Sequence, residues 1–420
     1  MKRIGFLLLI LCVFFVGLAG AQQPATSPLM PATTASQNAM VRGNHHDAVK
    51  TWELGTYPGG TWFTTQSIND LGVVVGLGDV PPIGPDGVGY THPLAVHVFG
   101  PHAGEWIDLG TLGGEQPRGF EYESQSQISN TGLVASHSSA RDGYVHGVAW
   151  TKKTGMVDLG TLADAGDPQY ASHNSSLALA TNKLGTLIVG WSGIDGVPQA
   201  PVVWTPSTAW KHGKLVTTWK IHKLDTITKA TFGEAWWVTD FGQISGVCGN
   251  QVDFVTGVVW NPRSDGKGWQ LTILPLDSDY PNSNAYGINE RGEITGVAIS
   301  EDGSIWLPRL WKPLDRRRTA YSQPIELALP DVFTSCESVG INDLGDIVGD
   351  CWTEDYSVDL PVRWITQDPA FSEIIELPGS WGYSWGVNNS RIAALTYGDG
   401  ENCSADSYVT CGGATELPER

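Results

Sequence analysis

Flat aromatic side chains beside carboxylates are the residues of this sequence best suited to chemistry. They lie in segments that connect apolar runs, and loops on a rigid scaffold commonly carry binding sites. An aromatic ring can stack on a sugar ring while a neighbouring carboxylate accepts hydrogen bonds from the hydroxyl groups. We predict a ligand-binding surface on these side chains, with local packing as the alternative explanation. The residues are Trp62, Tyr122, Trp236, Trp381, Tyr383 and Trp385.

Carboxylates in the same segments could also support catalysis. Glu123, Glu234 and Asp331 are among them. Glycoside hydrolysis needs two carboxyl groups, one as general acid and the other as base or nucleophile. The spacing selects no particular pair, so we predict no catalytic residue. A secreted glycoside hydrolase or polysaccharide lyase that uses these carboxylates is kept as the alternative to a non-catalytic protein.

Asp277 and Asp279 form a candidate calcium site. With Asn282 and Asn284 they offer several oxygen ligands within eight residues, and Ca²⁺ prefers oxygen ligands. They lack the Gly-centred loop with a terminal Glu that many calcium sites have, so a polar turn is the alternative. We expect no other cofactor.

The N-terminus has the pattern of a secretory signal peptide. Lys2 and Arg3 precede an apolar run over residues 6–18, and small residues follow at Ala19-Gly20-Ala21. The run is short for a membrane span, although a retained anchor helix is the alternative. We therefore predict a signal peptide over residues 1–21 and a mature bacterial protein that is secreted or periplasmic, with no membrane span.

Cysteine usage agrees with an oxidising compartment. Five cysteines remain once Cys12 leaves with the signal. We predict a disulfide between Cys336 and Cys351, which flank a hairpin, and one between Cys403 and Cys411. A simple register places Cys351 opposite Glu337, so the first pairing requires a β-bulge or a flexible strand end. Cys248 is left without a partner in this scheme, as a buried thiol or an intermolecular link.

Charge and composition restrict the partners. The chain carries a formal charge of −19, and loss of Lys2 and Arg3 with an acid-free signal makes it −21. A chain this acidic repels phosphate backbones, so we expect no nucleic acid partner. Residues 22–50 are rich in Pro, Ser and Thr without an apolar period, which predicts a disordered linker. We predict a flexible tail over 413–420.

One β-rich repeat occupies most of the chain. Each copy has an Ile-Asn-like pair, a turn that ends in Gly and then an apolar strand, and the copies start 46 to 60 residues apart. This spacing is typical of propeller blades. Arg391 replaces the turn Gly in the last copy, where we expect a different turn. The copies begin at Ile68, Ile128, Thr181, Val238, Ile288, Ile341 and Val387.

Two further strands accompany the repeat, and one of them is displaced. A strand that often ends in Trp, such as 201–204, is followed by a strand of the Ile-Asp-Leu-Gly type, such as 106–110. The last copy lacks the second strand, but Trp52-Glu53-Leu54-Gly55 supplies one before the first copy. We therefore predict an all-β fold over 51–412. It is a seven-bladed β-propeller with four short antiparallel strands per blade, closed by the N-terminal strand in the last blade.

Two phrases resemble the bacterial extracellular HAF-repeat family. They are Leu109-Gly110-Thr111-Leu112-Gly113-Gly114 and the segment Ile341-Asn342-Asp343-Leu344-Gly345 that continues to Gly349. The family's His-Ala-Phe strand is eroded here to forms such as Val148-Ala149-Trp150. The likeness covers roughly residues 51–411. It implies secretion and a repeat fold and no particular chemistry.

Together these patterns predict a secreted, non-catalytic binding or scaffold propeller. Loops on one face of the ring would engage an extracellular glycan or another extracellular protein. We expect the protein to be a monomer.

Overall fold

A computed structural model describes residues 49–84, 89–114, 125–172, 174–193, 199–211, 214–250, 254–377, 379–398 and 410–419. The predicted signal peptide, residues 22–48 of the linker, Tyr122 and Cys403 lie outside these ranges. Within them the chain forms 28 β-strands and a 3-10 helix at Pro168–Tyr170. No helix in these ranges is long and apolar enough to cross a membrane.

The strands form seven antiparallel four-stranded sheets, so the predicted seven-bladed propeller is confirmed. Each blade runs from an inner strand at the central channel to an outer strand. Blade one contains β2 (Phe63–Ile68), β3 (Val73–Val80), β4 (Tyr90–His97) and β5 (Trp106–Asp108). Blade two contains β6 (Gln127–Ile128), β7 (Val134–Ser139), β8 (Val145–Thr151) and β9 (Gly155–Asp158). Blade three contains β10 (Ser175–Thr181), β11 (Ile188–Gly193), β12 (Gln199–Lys211) and β13 (Lys214–Lys223).

The remaining blades follow the same order, and blade seven draws on both ends of the chain. Blade four contains β14 (Phe232–Val238), β15 (Ile244–Gly249), β16 (Val255–Pro262) and β17 (Trp269–Ile273). Blade five contains β18 (Asn282–Ile288), β19 (Ile294–Ile299), β20 (Trp306–Trp311) and β21 (Ile325–Glu326). Blade six contains β22 (Ser335–Ile341), β23 (Asp346–Trp352), β24 (Asp359–Ile365) and β25 (Asp368–Ile374). Blade seven contains β26 (Trp381–Val387), β27 (Ile392–Gly398), β28 (Cys411–Glu416) and β1 (Thr51–Gly55).

The repeated turn forms because its first Asn and last Gly satisfy the backbone locally. In blade one the Asn69 Oδ1 accepts hydrogen bonds from the N–H groups of Leu71 and Val73, and Gly72 takes a left-handed φ of 75°. Arg391 adopts a φ of 59° at the equivalent place, and its N–H donates to the Asn388 carbonyl. The expectation of a different turn in the last copy is therefore wrong. The Asn388 side chain holds the same turn shape even with a residue that has a Cβ.

Closure of the ring follows the prediction from the displaced strand. β1 pairs with β28, with Thr51 opposite Thr415 and their hydroxyl groups 3.0 Å apart. The third strand of blade seven is Cys411–Glu416, not the predicted 407–411, and residues 413–416 belong to the sheet and not to the predicted tail. The run Gly412-Gly413-Ala414 has little apolar pattern. Its pairing with β27 and β1 makes it a strand.

Recurrent tryptophans join blades four, five and six each to the blade before it. Trp260, Trp311 and Trp364 are fully buried at or near the ends of their third strands. Their Nε1 groups donate to the carbonyls of Asp225, Pro275 and Ala328, each at the end of the preceding blade. Packing of these rings is as predicted, and the hydrogen bonds add a fixed register between neighbouring blades.

The hairpin turns between the first two strands of each blade form the lower mouth of the channel. The turn of each blade donates a backbone N–H hydrogen bond to the turn of the next, at 2.8 to 3.0 Å, and seven such bonds complete a circle. The last bond, from the Asn389 N–H to Asp70 Oδ1, joins blade seven to blade one. Lys183 of blade three forms an ion pair across the channel with Asp343 of blade six. A cavity of about 60 Å³ lies inside this circle.

Removal of β1 tests the closure. A chain that begins at Thr56 should lose roughly 3–5 kcal/mol of unfolding free energy, because β28 loses its outer neighbour and Trp52 and Leu54 leave the core. Urea unfolding followed by circular dichroism measures this. A chain that begins at Val49 retains β1 and is the control. Equal midpoints for the two chains would contradict closure by β1.

Removal of the channel cation tests the lower mouth. Asp70, Glu290 and Asp343 surround Lys183 there, so Lys183→Met should cost about 1–2 kcal/mol at pH 7. The cost should shrink at high salt and at acidic pH, where carboxylate repulsion is weaker. Lys152→Met, in an exposed turn of blade two, is the matched control for thermal unfolding. A cost that does not vary with salt or pH would show that charge is not the cause.

Candidate functional site

The inner strands carry a recurrent β-bulge that fills the middle of the channel. The register of the inner strand shifts after Thr65, Ala178, Ala235, Ala285, Ser338 and Tyr383. A bulge re-aims the side chain of the extra residue. Trp236 of blade four packs edge-on against Tyr286 of blade five with 5.6 Å between ring centroids. Leu179 and Val339 join the same buried cluster, so apolar side chains occupy the centre of the ring.

An aromatic stripe lies on the inner strand of blade seven and adjoins this cluster, against which Trp385 packs. Trp381, Tyr383 and Trp385 alternate along β26 with buried residues, and all three are half-buried. The rings of Tyr383 and Trp385 lie 4.8 Å apart at 32°. The Trp381 ring packs over Gly398, which leaves no room for a side chain there. We call these three residues the aromatic stripe.

The structure divides the six predicted binding residues. The three of the aromatic stripe come together. Trp236 is buried in the channel cluster, and Trp62 is 4% exposed, so neither presents its ring to solvent. Tyr122 lies outside the described residues.

A group of buried carboxyls in blade six borders the aromatic stripe. Glu337 and Asp350 form a cross-strand pair, and Asp359 pairs with Trp352 on the same sheet. The Trp385 side chain lies near Asp350 and partly offsets the rise in its pKa. The Oδ1 atoms of Asp350 and Asp359 are buried without a hydrogen-bond partner.

Burial shifts the protonation of this carboxyl group. Desolvation by burial is the main cause that raises the pKa of Glu337, to about 8. The hydrogen bond from Tyr286 lowers this pKa, and the charge of Asp359 raises it. Desolvation also raises the pKa of Asp359 to about 7. The pKa of Asp350 lies well above its usual range because of burial and then the charges of Glu337 and Asp359. Burial therefore favours the protonated forms of Glu337 and Asp350 near neutral pH.

Polar side chains occupy the same inner-strand position as Glu337 in blades one, four and five: Thr64, Glu234 and Asn284. Glu234 of blade four is half-buried and accepts a hydrogen bond from Gln199 Nε2 at 2.8 Å. The Oδ1 atom of Asn284 of blade five is buried without a hydrogen-bond partner. Tyr383 holds this position in blade seven. Blade three has Leu177 there, so this position is polar or aromatic in five of the described blades and apolar in one.

The sequence patterns overlooked the blade six carboxyls. Asp350 follows Ile347, Val348 and Gly349 in an apolar strand, where an acid on a buried face is costly. An acid within an apolar strand was therefore the sequence signal that could have identified Asp350. Asp359 has no such signal, because it is the first residue of its strand and follows a turn.

The predicted calcium ligands have a structural partner. Asp277 Oδ2 accepts hydrogen bonds from Arg309 Nε at 3.0 Å and Nη2 at 2.9 Å, and Arg309 is 3% exposed. Asp277 Oδ1 accepts the Asp279 N–H. The described residues contain no group of three or more His, Cys, Asp or Glu side chains arranged to hold a metal ion. The geometry of Asp277 is therefore that of an ion-paired turn.

The cysteines follow the predicted scheme where the structure describes them. Cys336 and Cys351 form a disulfide, and the bulge after Ser338 brings them directly opposite each other. Cys411 is disulfide-bonded, while its predicted partner Cys403 lies outside the described residues. Cys248 is a buried free thiol whose pKa burial raises to about 12.

Comparison with known proteins gives similarity in fold. No protein-family model and no curated protein matches the chain. The match to a prolyl endopeptidase structure has 11% sequence identity and a TM-score of 0.47, and it covers 82% of this chain and 48% of the endopeptidase chain. The match to a Hadza microbial sialidase has 11% identity and a TM-score of 0.41, and it covers 70% of this chain and 64% of the sialidase chain. The match to Trypanosoma rangeli sialidase in complex with sialic acid has 9% identity and a TM-score of 0.39, and it covers 89% of this chain and 59% of the sialidase chain.

The chain thus spans 48% to 64% of the length of these three proteins. At identities of 9% to 11% the similarity concerns the fold alone.

The buried carboxyls predict an unusual dependence of stability on pH. Their raised pKa values mean that the folded protein holds these protons more tightly than the unfolded chain does. The contribution to stability is complete below about pH 4.5, the ordinary pKa of a Glu, and is lost as the pH rises to about 8. Glu337→Gln keeps an acceptor for Tyr286 and removes the ionisable group. It should add about 1–3 kcal/mol at pH 8 and little at pH 4.5.

Thermal unfolding at both pH values measures this difference. Glu354→Gln removes an exposed carboxyl from the same blade and is the control. If Glu337→Gln destabilises the protein equally at pH 4.5 and pH 8, the buried carboxyl is not held protonated.

Proposed function

We propose that this protein is a secreted, non-catalytic binding propeller that engages an extracellular glycan at the aromatic stripe of blade seven. The observation that carries the proposal is the alternation of Trp381, Tyr383 and Trp385 along one inner strand, half-buried and next to carboxyls. The bulge after Tyr383 interrupts the alternation, and the rings of Tyr383 and Trp385 lie 4.8 Å apart, with Trp381 before them on the same strand. The paired rings form an apolar surface beside polar groups, the usual composition of a small-ligand site.

Polar groups at the aromatic stripe could bind hydroxyls. The Nε1 of Trp381 is a buried donor without a partner among the described residues, and Tyr383 contributes a phenol. The phenol of Tyr383 can donate as well as accept hydrogen bonds, while Asp350 is buried behind Trp385. Both donor and acceptor chemistry is therefore available to a sugar that lies on the rings.

The alternative function is a secreted carbohydrate-active enzyme that uses channel carboxyls. A carboxyl with a raised pKa is what a general acid requires, so Glu337 and Asp359 are the residues that such an enzyme would use. Against this, Glu337 is hydrogen-bonded to Tyr286 and buried, and it has no open approach for a substrate. The geometry supports a structural role for the carboxyls better than a catalytic one.

Secretion and membership of the HAF-repeat family are parts of the same proposal. The buried disulfide Cys336–Cys351 agrees with an oxidising compartment. The Leu-Gly-Thr-Leu-Gly-Gly phrase at 109–114 and the repeated Ile-Asn-x-x-Gly phrase support the family likeness. An extracellular protein is the other class of ligand for the same face, and the glycan array below distinguishes it from a glycan.

Substitution at the centre of the aromatic stripe tests the proposed function. In a glycan array followed by calorimetry, Tyr383→Ala should weaken binding about tenfold, because one stacked ring and its hydroxyl are lost. Phe241→Ala removes an exposed aromatic at the lower mouth and should leave binding unchanged. Unchanged glycan binding in Tyr383→Ala would place the ligand elsewhere.

The same glycans should be assayed for reducing-end release. No release is expected from the wild-type protein. Release that disappears in Glu337→Gln would establish the enzymatic alternative and contradict a non-catalytic role.

A further inference from the structure

The two sides of the ring carry opposite charge. Links between the first and second strands of a blade, and between the third and fourth, lie on the side of the lower mouth, and the other links lie on the upper side. The described lower links contain eleven Lys or Arg and eight Asp or Glu, while the described upper links contain two and twelve. The lower side is therefore net positive although the whole chain has a charge of −19.

Contacts confirm that both kinds of lower link share one side. Arg318, in the link between β20 and β21, donates from Nη1 to Gln243 Oε1 and from Nη2 to the Glu290 carbonyl, each at 2.5 Å. Gln243 and Glu290 belong to the hairpin turns of the lower mouth. In blade six the Gln367 Nε2 likewise donates to the carbonyl of Leu344 in the hairpin turn.

Large apolar side chains are exposed among the cations of the lower side. The third residue of the hairpin turn is Phe241 in blade four, 68% exposed, and an exposed Leu in blades one, three and six. Leu314 in the link between β20 and β21 is 69% exposed. The upper links also expose apolar side chains such as Tyr356, but among a strong excess of acids. Apolar exposure and positive charge therefore coincide only on the lower side of the described chain.

The link between β20 and β21, residues 312–324, is the most basic of the described lower links. We call it the blade-five loop. It has 13 residues, whereas the equivalent links of blades one, two, four and six have 2 to 8. Lys312 and the run Arg316-Arg317-Arg318 give it four cations, and Asp315 is its one acid. Asp315 accepts hydrogen bonds from the N–H and hydroxyl groups of Thr319.

The fold holds the blade-five loop in place and leaves its tip exposed. Tyr321 is 5% exposed and pairs with Pro313, and the Lys312 Nζ donates to the Thr366 carbonyl at 2.7 Å. Arg318 lies over the Phe241 ring, 5.4 Å from its centroid. Arg316 and Arg317 are exposed, and their side chains have no hydrogen bond or ion pair with the described residues. Their guanidinium groups are therefore available to a partner.

The acids of the lower mouth are engaged within the ring. Asp70 and Asp240 each accept a backbone N–H from a neighbouring turn, and Glu290 accepts the N–H of Asp240. Asp343 forms the ion pair with Lys183. These carboxylates therefore serve the circle of turns, while the arginines of the blade-five loop have no such task.

A planar anionic surface fits the lower side better than a protein does. The exposed apolar side chains of the hairpin turns belong to separate blades around the mouth, whereas the core of a protein interface is contiguous and closely packed. A bilayer requires no such continuity, because each apolar side chain enters the headgroup region by itself. Arginine binds phosphate through two parallel hydrogen bonds, and anionic lipid attracts nearby cations. The acidic upper side would be repelled, which gives the ring one orientation.

We propose that the lower side of the ring docks on a bilayer that contains anionic phospholipid. Leu314 and Phe241 enter the headgroup region, and Arg316 and Arg317 bind lipid phosphates. The aromatic stripe begins with Trp381 at the upper end of β26, so a docked ring presents that end away from the membrane. The proposal goes beyond the glycan-binding function and does not depend on it.

Co-sedimentation of the full mature chain with lipid vesicles tests the proposal. Vesicles of equal parts phosphatidylglycerol and phosphatidylcholine are compared with vesicles of phosphatidylcholine alone, at several salt concentrations. We expect binding to the anionic vesicles that weakens as salt increases, and at least tenfold weaker binding to phosphatidylcholine. Leu314→Ser and the double variant R316Q/R317Q should each weaken binding about tenfold.

Matched controls on the upper side locate the effect. R141Q/K229Q removes the two cations of the described upper links, and Tyr356→Ser removes an exposed aromatic there. Both variants should bind the vesicles as the wild type does, as should Tyr383→Ala at the aromatic stripe. Circular dichroism checks that every variant is folded.

Three outcomes would overturn the proposal. The first is absence of binding to the anionic vesicles. The second is an equal loss in the upper-side variants and in R316Q/R317Q. The third is binding of poly-L-glutamate as tightly as of vesicles, with no effect of Leu314→Ser on either, which would indicate an acidic protein partner.

Discussion

Each hairpin turn at the lower mouth donates a backbone hydrogen bond to the turn of the next blade, and the seven bonds close on themselves. The circle forms only if the turn of each blade lies at the same height as the turn of the next blade. It therefore holds the turn ends of the inner strands in register around the channel. Asn side chains strengthen it, since Asn342 donates to the Asn388 carbonyl and Asn388 donates to the Asn69 carbonyl. Blade seven is therefore tied to blade one at the channel, as β1 ties it at the rim.

Because the inner strands are held at one end, their bulges determine what the channel contains. The bulge residues of blades three to six meet in one apolar cluster, so the channel is a packed core at mid-height and not an open tube. The aromatic stripe of blade seven adjoins this cluster through Trp385. Loops and strand extensions on a rigid ring are favourable places for binding because they vary without disturbing the core.

The blade six carboxyls are an exception to the apolar core. Burying an acid costs free energy unless it is neutral or hydrogen-bonded, and here Glu337 and Asp350 are raised in pKa and contact Tyr286 and Trp385. Titratable groups with strongly shifted pKa values are concentrated at functional sites. Their position against Trp385 links the protonation of blade six to the aromatic stripe of blade seven.

Sequence alone determined the ring. Asn and Gly in the repeated turns, the recurrent buried Trp and the displaced Trp52-Glu53-Leu54-Gly55 are local signals, and each has a local physical cause in turn geometry or strand pairing. The tertiary structure decided which side chains meet. Strand alternation could not show that Trp236 is buried while Trp381, Tyr383 and Trp385 form a stripe, because the bulges that re-aim these residues leave no mark in composition. It could not show that Gly412-Gly413-Ala414 is a strand, nor that Asp350 contacts Trp385, because both depend on pairing between segments far apart in the chain.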